Sequence, residues 1–85
     1  MRPTRVEDLE IEALVRARVR EPVRFDALAR VTRKRCQGSV AMRVVLDELA
    51  SLRVSTREDI LSSARAYLRR EEPFYFIGVV LTELL

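Results

Sequence analysis

Arg33, Lys34 and Arg35 place three cations side by side, and Gln37, Ser39 and Arg43 follow close behind. A cluster of guanidinium and ammonium groups takes up phosphate oxygens and gains free energy by releasing counterions from a nucleic-acid backbone. Arg24 and Arg30 extend the set upstream. Between Arg16 and Arg35 there are eight basic residues against only Glu21 and Asp26. The same run also suits a solvated helix face, because charge runs usually serve hydration. Elsewhere the chain is poor in chemistry. It has no histidine, so the usual acid–base group at neutral pH and the commonest metal ligand are both missing. It has no glycine-rich phosphate loop and no nucleophile–base pair. Carboxylates adjoin at Glu7-Asp8, Asp47-Glu48, Glu58-Asp59 and Glu71-Glu72, but sequence neighbours on a helix point apart and do not converge on a substrate. The expectation is a non-enzymatic protein without metal or cofactor. Cys36 lies inside the basic cluster, where cations favour a reactive thiolate; a small half-buried turn residue is the plainer reading.

The elements that position these residues belong to one small domain, 1–85. An 85-residue chain buries only about 60% of its unfolded surface, so its core is marginal and dimerisation is expected. Apolar content of 48% and charged content of 34% exclude wholesale disorder. Two glycines, three prolines and abundant Leu, Arg, Glu and Ala favour helix. A lone cysteine excludes an intramolecular disulfide. Fifteen arginines stand against one lysine, with no asparagine, a bias that a GC-rich coding sequence also produces. Residues 1–46 carry a net charge of +5 and residues 47–85 a net of −2. The N-terminus lacks the apolar run of a signal peptide, and Phe74 to Leu81 is too short to cross a bilayer. A cytoplasmic protein without membrane contact is expected.

Helical periodicity organises most of the chain. Thr4 and Glu7 have capping-box spacing before a first helix over Val6 to Arg20. Ile11, Leu14, Val15 and Val19 form its apolar stripe, widened by Leu9, Ala13 and Ala17. Pro22 stops it. Val23-Arg24-Phe25 alternates apolar and basic, as a short strand would. Asp26 then caps a brief helix over Ala27 to Arg33, with Leu28 and Val31 inward. Arg33 to Gly38 reads as a connector, and Ser39 as the N-cap of a helix over Val40 to Leu52. Met42, Val45, Leu46, Leu49 and Leu52 give that helix the clearest stripe in the protein. Val40, Ala41 and Val44 lie off the stripe, which points to cover on more than one side. Ser55 and Glu58 form a further capping box before a helix over Arg57 to Arg70, burying Ile60, Leu61, Ala64, Tyr67 and Leu68. The fold class is therefore mainly α, with four to five helices and at most one or two very short strands.

The apolar segment 74–85 fits either a strand, from its aromatic and β-branched residues, or a helix with a seam of Phe74, Ile77, Leu81 and Leu84. Pro73 at the first helical position and the continuation of the seam favour helix. So many apolar groups exceed one side of a surface helix. The seam is accordingly expected to carry a homodimer interface.

FDALARVT followed by GSVAMRVVLDELASL resembles the paired helices of winged-helix and helix-turn-helix DNA-binding domains, within residues 25–52. Leu46 and Leu49 match the Leu-x-x-Leu near the end of the second helix. The turn here is longer, Arg33 stands at the usual glycine, no wing hairpin follows Leu52, and Asp47 and Glu48 bring negative charge. The resemblance implies a small regulator or nucleoid-type binder of double-stranded DNA. Gln37, Ser39 and Arg43 would then lie closest to base edges, with Arg24, Arg30, Arg33, Lys34 and Arg35 on phosphates. That role requires Arg30, Arg33, Lys34, Arg35 and Arg43 on one exposed face beside Ser39. If they scatter, the alternative is a helical subunit that binds another protein.

Overall fold

A computed structural model describes residues 6–85. They form five helices, α1 (Val6–Arg20), α2 (Pro22–Arg35), α3 (Val40–Ala50), α4 (Arg57–Tyr67) and α5 (Phe74–Glu83), with no strand among the described residues. The expected mainly α class holds. Thr4 lies outside the described residues.

α1 is the central element and packs against α2, α3 and α5, while α4 lies on α5. Its Ile11, Leu14 and Val15 are fully buried. Ala17 joins them, whereas Leu9 and Ala13 face solvent instead of widening the stripe. Val45, Leu46 and Leu49 of α3 and Ile77, Val80 and Leu81 of α5 complete the centre of the core. Fully burying one such side chain stabilises the fold by about 1.5–3 kcal/mol before entropy is counted.

α2 departs most from expectation. Pro22 ends α1 but also opens α2, because a proline at a first helical position sacrifices no hydrogen bond. Val23-Arg24-Phe25 is therefore the first turn of a helix and not a strand. Asp26 caps nothing; the N-cap is Glu21, without a side-chain hydrogen bond. Starting the helix early resets its phase. Phe25, Ala29 and Thr32 turn inward and Val31 is 58% exposed, while Leu28 packs at the core edge. The basic triplet is not a connector: it forms the last turn of α2, where cations oppose the negative end of the helix dipole. The connector is Cys36, Gln37 and Gly38.

Ser39 caps α3 as expected, its Oγ accepting from the Met42 amide at 3.2 Å. The α3 stripe is buried throughout, and Leu52 stays buried beyond the helix end. The second capping box lies one residue later than expected: Thr56 Oγ1 accepts from the Asp59 amide and Asp59 Oδ2 from the Thr56 amide, both at 3.1 Å. α4 ends at Tyr67 and leaves Leu68 37% exposed. α5 approaches it closely; a Cβ at Gly78 would lie 2.8 Å from the Leu68 amide nitrogen.

The apolar tail is a helix, and it is core. Ile77 and Leu81 are wholly enclosed by the chain's own helices, with Phe74 and Leu84 partly buried beside them. In this fold Ile77 and Leu81 are out of reach of a second copy. The seam's apolar excess is absorbed by α1 on one side and α4 on the other.

Candidate functional site

The arginines that looked like a partner surface are mostly engaged inside the chain. Arg18 Nε donates to the Leu49 carbonyl at 2.8 Å and its Nη2 to the Leu52 carbonyl at 2.6 Å. It thus supplies a donor to the Leu52 carbonyl, just beyond the C-terminal end of α3, and adds a second donor to the Leu49 carbonyl, which also accepts from the Leu52 amide at 3.2 Å. Arg16 bridges Glu12 and Glu83, each at 3.0 Å, and Arg20 reaches the Leu84 carbonyl at 3.3 Å. Arg24 pairs with Glu21 at 3.6 Å. Arg33 pairs with Asp47 of α3 at 3.0 Å, and Arg35 with Glu10 of α1 at 2.8 Å. Of the eight basic residues between Arg16 and Arg35, only Arg30 and Lys34 have no ion pair or hydrogen bond among the described residues.

The expected nucleic-acid set therefore divides. Arg35 and Arg24 lie on the flank of α2 that faces α1; they are not on the face shared with α3. Ser39 is committed to its cap. Arg33 remains on the α3 side, and Arg30 shares a groove with it alongside Asp26 and Ala50. Arg33 also lines a second shallow groove with Val40, Arg43, Val44 and Asp47. Lys34 follows Arg30 by one helical turn and points outward, midway around α2 between Arg33 and Arg35 and opposite buried Phe25, Ala29 and Thr32. Gln37 is exposed in the connector.

This α2/α3 face has an apolar middle. Val40 is 64% exposed and Val44 40% exposed, so α3 is uncovered on the side where the sequence pointed to cover. Arg43 stands between them along the helix. Asp47, one turn on, offsets Arg33. The face is thus a modest positive rim around two valines, with Asp26 and Asp47 diluting its charge.

A second arrangement escaped the sequence reading. Tyr67 Oη donates to Glu48 Oε2 at 2.6 Å, and Arg70 donates to Glu48 Oε1 at 3.0 Å. The Arg70 guanidinium sits 3.9 Å from the Phe74 ring centre, and Phe74 stacks on Tyr67. Glu48, Tyr67 and Arg70 edge a cleft of about 450 Å³ between α3 and α4. The hydrogen bond from Tyr67 holds Glu48 below the ordinary carboxylate value, more than burial raises it, and Arg70 adds to the effect. Burial chiefly, then the bond to Glu48, pushes the Tyr67 phenol well above its ordinary value. Glu48 stays ionised and Tyr67 protonated at neutral pH, each satisfied by the other. The cluster fastens α4 to α3 and offers no free base or nucleophile. No local pattern reveals it, because Glu48 lies 19 residues from Tyr67 and 22 from Arg70.

Among the described residues, no group of three or more His, Cys, Asp or Glu side chains is arranged to hold a metal ion. No helix among them is long and apolar enough to cross a membrane. Compared with protein-family models, curated proteins and solved structures, the chain matches none.

Proposed function

We propose that this protein is a non-enzymatic docking module whose α2/α3 face binds an acidic, partly apolar protein surface. The observation that carries the reading is the exposure of Val40 and Val44, with Arg33 and Arg43 lining the same groove and Arg30 the adjoining one. Protein interfaces combine a desolvated apolar centre with a polar rim and are depleted of charge at that centre. Interfaces that hold DNA are far more positive and polar, and here six of the eight cations between Arg16 and Arg35 are already engaged within the chain. A helix with a leucine stripe flanked by glutamates matches both the valines and the rim.

Double-stranded DNA is the second reading. What favours it is that Arg30, Arg33 and Arg43 share one side of two helices whose order resembles a helix-turn-helix. Surface ion pairs are worth only about 0–1 kcal/mol, so Arg33 can leave Asp47 for a phosphate.

Fluorescence anisotropy separates the two. The probes are a labelled glutamate-flanked leucine helix and a labelled random duplex, each titrated at rising salt. Docking predicts that Val40→Ser with Val44→Ser weakens peptide binding at least about tenfold, through lost apolar burial. It also predicts weak duplex binding indifferent to that change. Tight duplex binding that falls steeply with salt, with no peptide binding, overturns the docking reading.

A further inference from the structure

We infer that the partner of the α2/α3 face is a second copy of this chain, which offers an acidic groove on the other flank of α3. This rests on the docking reading above. The groove, of about 330 Å³, has Ile11, Met42 and Pro73 as its apolar walls and Glu7, Asp8 and Glu72 around it. Glu7 and Glu72 are exposed, and neither has an ion pair among the described residues. The first turns of α3 divide the two surfaces. Ala41 and Met42 line the acidic groove, while Val40, Arg43 and Val44 line the basic side.

The basic side exposes Val40 and Val44, the groove exposes Ala41 and part of Pro73 above buried Ile11 and Met42, and their rims are opposite in sign. Arg30, Lys34 and Arg43 on one chain meet Glu7 and Glu72 on the next, while Val40 and Val44 enter the groove beside Ala41 and Pro73. Charge complementarity of this kind selects the partner and its register, and suppresses like-charged pairings. Because the joining patches are different parts of the same chain, the contact is head-to-tail. A pair joined this way keeps one basic face and one acidic groove free, so assembly continues past the dimer. This differs from an exchange of the buried seam on α5, which stays inside each copy.

Sedimentation equilibrium on the full chain and on two charge-reversed variants tests the inference. One variant carries Lys34→Glu and Arg43→Glu; the other carries Glu72→Arg, in the loop between α4 and α5, where no helix is disturbed. Circular dichroism verifies that both fold. The wild type should show a mass that rises with concentration and falls with salt. Each variant alone should associate at least about tenfold more weakly. Mixed in equal amounts, they should associate at least about tenfold more tightly than either variant alone, because the intact basic face of one meets the intact acidic groove of the other. A wild type that stays monomeric at high micromolar concentration overturns the inference, as does association unchanged in both variants. Binding of the acidic helical peptide by that same monomeric wild type would leave the docking reading standing, so the two failures are distinct.

Discussion

Arg33 and Arg35, two positions apart on α2, are drawn to opposite flanks of the helix: Arg33 to Asp47 of α3 and Arg35 to Glu10 of α1, at 3.0 and 2.8 Å. A triplet that reads as one basic patch is thereby divided between two helix–helix seams. The face left on the α3 side is smaller, less charged and centred on valines. This division is what favours the proposed docking role over the nucleic-acid one.

Arg18 is predicted to matter more for stability than any arginine of the triplet. Replacing it with methionine keeps much of its stem but leaves the Leu52 carbonyl without its side-chain donor and the Leu49 carbonyl with the Leu52 backbone amide but no side-chain donor. The expected loss is roughly 2 kcal/mol, typical for hydrogen bonds to a charged group. Urea unfolding measures it. A loss below about 0.5 kcal/mol, the size of an ordinary surface change, would contradict the assignment.

Glu48 should give stability a pH dependence of definite sign. Its carboxyl is held below the ordinary value of 4.5, so the unfolded chain binds that proton more readily than the folded one. The contribution is full above pH 4.5 and disappears as pH falls through the lower folded value. With the carboxylate a third exposed, it is about 1 kcal/mol. The difference in stability between wild type and Glu48→Gln should shrink as pH drops below that point. A difference that stays constant there would refute the linkage. Tyr67 acts in the opposite sense. Its raised phenol stabilises the fold below its ordinary value of 10.0, and that contribution is lost as pH climbs past it.

Leu81 tests whether the apolar tail is internal. Leu81→Ala in the Lys34→Glu/Arg43→Glu background should cost about 2–5 kcal/mol, as expected for a fully enclosed leucine. Thermal unfolding of this variant and its parent should have midpoints independent of protein concentration. A midpoint that rises with concentration in the parent and not in the leucine variant would return the seam to an interface.

Local chemistry made some of the fold legible. The α1 boundaries, the Ser39 cap and the Met42-to-Leu52 stripe depend on neighbours within a few residues, and each holds in the structure. The phase of α2 did not follow, because reading Phe25 as a strand residue removed the turn that orients Ala29 and Thr32. Ser55/Glu58 and Thr56/Asp59 both satisfy capping-box spacing, so the pattern alone could not choose between them. The partition of Arg33 from Arg35 was illegible for a different reason. It is set by Asp47 and Glu10, 14 and 25 residues away, which only packing brings near. The same holds for Arg18 at the end of α3 and for Tyr67 on Glu48. What sequence did show was the right helices around the candidate face; what it could not show was which cations those helices consume.

The most direct test of the docking account is amide chemical-shift mapping of isotope-labelled protein, titrated separately with the glutamate-flanked leucine helix and with duplex DNA at physiological ionic strength. The account predicts that the peptide moves the resonances of Arg30, Val40, Arg43 and Val44 while the duplex leaves them in place. Shifts at those residues from the duplex, and none from the peptide, would contradict it.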